Sequence, residues 1–168
     1  MELCQIRPIA STDLEIMDDS FRSEFDRTHA DDLIDHNAGL KTFLVAWVGS
    51  EPAGHVFVNW QGPRQVEPFA AFPECPEINR LHVLDAFQKK GIAAALIAEC
   101  EAEAQLKGLR QIGLGTDPAV PIKSNLYYRL GYIDSGIGIF DDVYKVRDSA
   151  GSVTIIREAT RFLIKELM

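Results

Sequence analysis

The stretch "LHVLDAFQKKGIAAALIAECEAEAQLKG", residues 81–108, constrains the fold more than any other part of the chain. A strand-like apolar run ends at Val83, and a long helical pattern carried by residues 88–107 opens near Gly91. Ala93, Leu96, Ile97, Cys100 and Ala104 recur at i, i+3 and i+4 and form one apolar stripe, with Glu99, Glu101 and Glu103 mostly off it. Gly108 ends the helix. A strand is therefore expected to feed through a tight turn into a helix. That turn carries a glutamine, two lysines and a glycine.

The flanking pattern supplies the rest of the architecture. "LCQIRPI" alternates as a first strand, and "STDLEIMDDSFRSEF" follows as a helix with Ser11 or Thr12 as N-cap and Leu14, Met17 and Phe21 facing inward. "RTHADDLIDHNAG" predicts a second short helix. "TFLVAWV" and "AGHVFVNW" predict two strands joined at "GSEP" as a hairpin. Pro63, Pro68, Pro73 and Pro76 break any ladder, so residues 61–76 are expected to be a long loop. "EINRLHVL" is a buried strand with Ile78, Leu81 and Val83 as its apolar members. Beyond the long helix, "LRQIGLGTD" predicts a strand, "IKSNLYYRLG" a short helix and "YIDSGIGIF" a strand. The tail "ATRFLIKELM" fits either a helix or a final strand. Antiparallel hairpins combine with one strand–helix–strand crossover, which is mixed α+β rather than a doubly wound sheet. At 168 residues, the chain is expected to form one domain spanning 1–168.

Composition excludes several classes. With 46% hydrophobic and 25% charged residues, the chain reads as an ordinary globule without low complexity or repeats. No run approaches the roughly 18 apolar residues of a spanning helix, and "MELCQIRPIAS" lacks the pattern of a secretion signal. The expectation is a cytoplasmic protein without a membrane partner. A net charge of −8 argues against nucleic acid and suits a cationic partner such as an amine, although solubility alone explains it too. Cys4, Cys75 and Cys100 are odd in number and form no CxxC pair, so neither a disulfide framework nor a zinc knuckle is expected. His29 and His36 lie seven apart, not at the i, i+4 spacing of a metal helix, and His55 stands alone in a strand. No G-x-S-x-G elbow is present. No metal is expected.

The tight turn points to an anion. A strand running into a helix aims the first unpaired N–H groups at one point, and the helix dipole adds to them. Gly91 permits close backbone approach or a positive φ, Ala93 and Ala94 keep bulk away, and Lys89 and Lys90 add charge. These features suit a pyrophosphate, although a helix that simply begins with a flexible turn shows the same spacing. The turn is neither a Walker loop nor a GxGxxG fingerprint. "GLGTD", residues 113–117, has no second helix-opening glycine and reads as the end of a strand.

In this setting Gln88-Lys89-Lys90-Gly91-Ile92-Ala93 resembles the acetyl-CoA-binding signature Q/R-x-x-G-x-G/A of the GNAT superfamily of N-acetyltransferases. "SNLYYRLGY", residues 124–132, is similar to the family's A-x-x-L-Y-x-x-L-G-F/Y element, with Tyr127 rather than Tyr128 in register with the tyrosine beside the coenzyme sulfur. The element order matches the family from about residue 3 to 140, and the likeness is weaker in residues 61–76 and in the tail. Two positions depart from the pattern. The family's asparagine before the tyrosine would fall near Val120, leaving Asn125 as a stand-in, and the second signature position is Ala93 rather than glycine.

The resemblance implies a GNAT fold, a central, mostly antiparallel mixed sheet flanked by helices. It also implies acetyl transfer from acetyl-CoA to a primary amine of a small molecule or peptide. Backbone groups of Gln88, Lys89, Lys90, Gly91, Ile92 and Ala93 would face the pyrophosphate. Leu81, His82 and Val83 would pair with the pantetheine, an N–H near Val83 would polarise the thioester carbonyl, and Asn125 would help hold the coenzyme. Tyr127 is the expected acid and Glu77 the first candidate for general base. On an ideal strand, Glu77 shares a face with Asn79, Leu81 and Val83, and His82 points the other way. The acceptor is expected between the first two helices and the proline-rich segment. Asp18, Asp19, Glu24, Asp26, Asp31 and Asp32 make that region acidic, in keeping with a cationic acceptor. A non-catalytic CoA or acyl-CoA sensor, or a transferase of longer acyl groups, remains the alternative. A homodimer is compatible with the sequence.

Overall fold

The computed structural model describes residues 3–21 and 27–168, without the side chains of residues 122–124. Strand β1 (Cys4–Pro8) leads through a 3₁₀ turn (Ser11–Asp13) into α1 (Leu14–Ser20), followed by α2 (His29–Asn37). The hairpin β2 (Lys41–Val48) and β3 (Glu51–Asn59) comes next, then α3 (Val66–Ala71) and β4 (Glu77–Val83). The crossover helix α4 (Ile92–Leu106) joins β4 to β5 (Gln111–Thr116). After it come α5 (Pro121–Arg129), β6 (Ile133–Arg147) and β7 (Val153–Glu166). One seven-stranded sheet forms in the order β1-β2-β3-β4-β5-β7-β6, antiparallel except where β4 meets β5.

Helices cover both faces, which is why β2 and β3 read as near-continuous apolar runs. On one face, Ile92, Leu96, Ile97, Cys100 and Ala104 of α4 pack against Val56, Val58, Ile112 and Leu114. On the other, Met17, Phe21 and Leu33 close over Phe43, Val45 and Phe57. Each large aliphatic or phenyl side chain buried this way contributes roughly 1.5–3 kcal/mol. All three cysteines are free thiols.

Several elements differ from the sequence expectation. Neither Ser11 nor Thr12 caps α1; instead Asp13 accepts the Ala10 N–H at 2.8 Å and pairs with Arg7 at 2.7 Å. The helical reading of residues 22–26 lies outside the described residues. The 61–76 segment is not wholly loop, because α3 forms within it. Pro68 sits in that helix's first turn, where its missing N–H costs no hydrogen bond. Helix α4 begins at Ile92 rather than at Gln88, after a 3₁₀ turn over Asp85–Phe87. Glu101 is not a plain solvent-facing residue: it accepts the Tyr132 hydroxyl at 2.9 Å and the Lys165 ammonium at 2.9 Å. The tail resolves as a strand, with Phe162 and Leu163 buried. β7 inserts between β5 and β6, so its apolar residues meet two strands instead of one helix face.

The glycines of "GLGTD" have a packing reason. A Cβ on Gly113 would lie 2.5 Å from the Phe162 ring, and one on Gly115 would lie 2.9 Å from Thr160. They are the space that lets β7 lie flat against β5.

The decisive irregularity lies in β4. His82 pairs with His55 and Asn79 with Phe57, so Arg80 and Leu81 together oppose the single residue Val56. Arg80 has φ +52, and this extra residue is a β-bulge. Residues directly opposite on antiparallel strands share a face. His82 therefore lies on the same face as Glu77 and Asn79, against the expectation from strict alternation. Leu81 and Val83 turn instead toward the α4 side, where they pack on its core. The Arg80 side chain reaches back to α2. It donates to Asp32 at 2.9 Å, and its guanidinium stands 5.0 Å from the Phe57 ring centre.

Two outcomes check this account. Gly113→Ala should destabilise by about 1–3 kcal/mol through overpacking, read as a fall in Tm of roughly 2–4 °C per kcal/mol. Asp32→Asn removes the carboxylate charge that Arg80 and Arg27 share and should cost about 3–5 kcal/mol in urea unfolding. A loss under 1 kcal/mol would show that Arg80 finds another acceptor.

Candidate active site

Beyond the bulge the sheet opens. β4 pairs with β5 only at Glu77↔Gly113 and Ile78↔Leu114, although β4 runs on to Val83 and β5 to Thr116. The strands splay, and the β5-facing edge of β4 beyond Ile78 loses its strand partner. Bulges raise local twist and end pairing in this way. A cleft of ≈ 520 Å³ occupies the gap. Among its walls are Glu77, Asn79, Leu81, Thr116 and Tyr127.

The turn expected to hold an anion stands at the start of α4. Gly91 is the N-cap with φ +82, in the left-handed region that favours glycine, and no side chain caps the helix. The N–H groups of Ile92, Ala93 and Ala94 therefore have no intrahelical acceptor. Lys89 also has positive φ, at +62, so two left-handed residues bend the loop within three positions. Ile92 is buried in the core and anchors the turn, whereas Lys89 and Lys90 are exposed. Gln88, though exposed, is tied into the turn: its side-chain amide donates to the Val83 carbonyl at 3.0 Å and to Asp85 at 3.1 Å, and its N–H donates to the Asp85 carbonyl at 3.3 Å.

Glu77 is 6% exposed. Its Oε2 accepts the Arg64 N–H at 2.6 Å, and the Arg64 guanidinium stands 3.7 Å from Oε1. Burial raises its pKa above the ordinary carboxylate value, opposed by Arg64. Arg64 in turn pairs with Asp142 of β6 at 3.3 Å, and Gln65 donates to the same carboxylate at 2.9 Å. The proline-rich segment is thereby tied across the cleft to the β6–β7 ribbon. Sequence reading missed Arg64, Arg80 and Asp142 as site residues. Arg64 and Asp142 are 78 positions apart, and no local pattern links them.

Tyr127 lines the same cleft. Its ring packs against the α4 core and meets Tyr132 edge-on at 6.3 Å. Burial raises its pKa, and among the described residues its hydroxyl has no hydrogen-bond partner. Tyr128, the neighbour excluded by register, is 45% exposed. Asn125 is exposed and stands outside the cleft walls.

His82 also stands outside the cleft. Its ring belongs to a cluster with Phe21 at 5.5 Å and His55 at 5.7 Å, a consequence of the bulge. His55 is not alone in its strand: burial, and His82 next to it, push its pKa down to about 3. The acidic first helices are also less available than expected. Asp32 pairs with Arg27 and Arg80, Asp35 with Arg27 and Lys41, Asp18 with His29, and Asp31 caps α2 through Thr28. Glu24 and Asp26 lie outside the described residues. Among the described residues no cluster of metal-ligating side chains occurs, and no helix is long and apolar enough to cross a membrane.

The sequence profile of the Acetyltransferase (GNAT) family matches residues 11–132. No curated protein matches the chain. Among solved structures, the fold is similar to an N-acetyltransferase from Staphylococcus aureus Mu50, with TM-score 0.72, 16% identity and 99% of each chain covered. It is also similar to PaiA N-acetyltransferase from Thermoplasma acidophilum in complex with coenzyme A, with TM-score 0.65 and 15% identity over 98% of this chain and 99% of that one. A third is a GNAT family acetyltransferase from Elizabethkingia anophelis with acetyl-CoA bound, with TM-score 0.59, 18% identity and 98% of each chain covered. Likeness at this identity speaks for the fold. Together with the profile match over most of the chain, the splayed strands and the uncapped helix start place the chain in the GNAT acetyltransferase family, whose chemistry is acetyl transfer from acetyl-CoA.

Proposed function

We propose that the chain moves an acetyl group from acetyl-CoA directly to a primary amine of a small molecule or peptide. The observation that carries this reading is that Glu77 and Tyr127 line one cleft. An incoming amine must lose a proton on one side of the thioester carbon, and a departing thiolate must be stabilised on the other.

The chain's own groups meet the needs of the coenzyme. The amides of Lys89 to Ala93 and the start of α4 suit a pyrophosphate, with Gln88 holding the turn in shape. The unpaired edge of β4 over Leu81 to Val83 offers strand-like hydrogen bonds to the pantetheine amides. In this reading an N–H of that edge polarises the thioester carbonyl. Asn125 is exposed and contributes at most at the rim. Holding both reactants in the cleft supplies much of the acceleration through orientation.

A lysine-like amine has a pKa of about 10.4 and is almost wholly protonated at pH 7. Glu77 is the base in this reading. Its raised pKa makes it a better proton acceptor than an exposed glutamate. Tyr127 acts on the leaving group. Even an unperturbed tyrosine near 10 facing a thiol near 8.5 makes full proton transfer uphill by roughly 2 kcal/mol. Burial raises the Tyr127 pKa further. Tyr127 therefore donates a hydrogen bond that strengthens as negative charge gathers on sulfur.

Tyr127→Phe should lower kcat about 10- to 1000-fold with acetyl-CoA affinity nearly unchanged; unaltered turnover would remove Tyr127 from the mechanism. Glu77→Gln should slow kcat/KM by about 10²–10⁴ and abolish the fall in rate that wild type shows as pH drops through the raised carboxyl pKa. The sign for stability is opposite. A carboxyl whose pKa is raised by folding loses stability as pH rises, so the glutamine variant should be at least as stable as wild type at neutral pH. A variant that instead melts early, with its acid limb intact, would make Glu77 a structural carboxylate.

A further inference from the structure

Two carboxylates of the cleft, Glu77 and Asp142, meet the single guanidinium of Arg64. They do not receive equal shares. The Arg64 Nη2 donates to both Asp142 oxygens, at 3.4 and 3.3 Å. Its Nε stands 3.7 Å from Glu77 Oε1, too far for a hydrogen bond. Asp142 is itself fixed in place, because Gln65 donates to its Oδ1 at 2.9 Å and to the Val143 carbonyl at 3.0 Å. Among the described residues Glu77 bonds to Arg64 alone. Its Oε2 takes the Arg64 N–H at 2.6 Å, and its Oε1 accepts no hydrogen bond.

A carboxylate clamped by a guanidinium is a poor base. The opposite charge favours its ionised form, and a two-pronged pair fills the lone pairs a proton needs. Here burial raises the Glu77 pKa, the Arg64 charge and N–H lower it, and the Asp142 charge raises it again. The residues that pair with Glu77 on the neighbouring strands, Asn59 and Gly113, carry no charge. Cys75 is a neutral thiol, pushed up to about 12 by burial and then by Glu77. The cleft also carries Arg27, Arg80, Asp117, Tyr127, Lys145 and the Tyr144–Glu158 pair, all of them common to every variant compared below.

We infer that Asp142 is a positioning residue for the transfer reading above, on which this inference rests: it holds the Arg64 guanidinium off Glu77 and leaves Oε1 open. The ammonium of the acceptor gives one proton to Oε1 and keeps the N–H bonding pair as the lone pair that attacks the thioester. Asp142 touches neither reactant in this role. It acts through Arg64, and Gln65 keeps it there.

The test compares kcat/KM against pH for wild type, Asp142→Asn, Asp142→Glu and Arg64→Gln with one amine, whose own ionisation is the same throughout. Asp142→Asn lets the guanidinium close on Glu77. The acid-side fall in rate should then move to lower pH, and the plateau should drop by about 10-fold, short of the loss in Glu77→Gln. Arg64→Gln removes the positive charge and should move the fall to higher pH, whereas Asp142→Glu should keep the wild-type profile. Titration of the Glu77 carboxyl by ¹³C NMR, assigned by its loss in Glu77→Gln, should shift in the same two directions without any turnover. An acid limb and a carboxyl signal that both stay put in Asp142→Asn overturn the inference, whatever the loss in rate, and leave Glu77 as base to be judged by its own variant. A carboxyl that shifts while the acid limb stays put overturns the base assignment and this role with it. Should Asp142→Asn fail to fold, Asp142→Ser removes the same charge and is read by the same two signals.

Discussion

The ion pair between Arg80 and Asp32 holds the point on which the architecture turns. Arg80 occupies a left-handed backbone conformation, which costs a non-glycine residue of the order of 1–2 kcal/mol. It also carries a mostly buried guanidinium, whose desolvation lowers its pKa. Both costs are met at one place. The Asp32 carboxylate at 2.9 Å and the Phe57 ring face receive the side chain, and His55 engages the Arg80 backbone. With the bulge held, β4 parts from β5 and a cleft opens in the middle of an otherwise continuous sheet. Without it, the parallel ladder would continue past Ile78 and close over the place where two substrates must meet.

The same bulge reassigns side chains between two environments. Leu81 and Val83 move to the α4 face, and His82 joins Glu77 and Asn79 on the other. The His82 ring meets Phe21 edge-on and lies tilted against His55. Glu77 precedes the bulge and keeps its face. It meets the cleft from the side of α1 and α2, whereas Tyr127 meets it from the side of α4. The gap between strands is therefore lined by residues from both faces of the sheet.

Long-range ties then shape the acceptor side. Arg64, at the start of the proline-rich segment, bonds Glu77 through its backbone and Asp142 through its guanidinium. A segment that reads locally as a prolyl excursion becomes one wall of the site and modulates the proton affinity of its central carboxylate. Among the described residues of the α1–α2 region, Asp32 and Asp35 meet Arg27, Arg80 and Lys41, and Asp18 meets His29, so these carboxylates serve internal pairs.

Much of the fold was legible from the chain alone, because periodicity and glycine placement are local. The α4 stripe, the β2–β3 hairpin and the left-handed Gly91 all follow from spacing within about a dozen residues, whereas the preference for Tyr127 over Tyr128 comes from likeness to the family's element. The tail, the bulge and the tie between Arg64 and Asp142 do not. The sequence of β7 suits helix and strand about equally, and the open slot beside β5, made by Gly113 and Gly115, settles it. The bulge depends on Arg80 meeting a carboxylate 48 residues earlier in the chain. Residue type and spacing determined which local conformations were available. Tertiary contacts decided which way Glu77, His82 and the arginines face, because burial and pairing energies outweigh the small local preference for regular alternation.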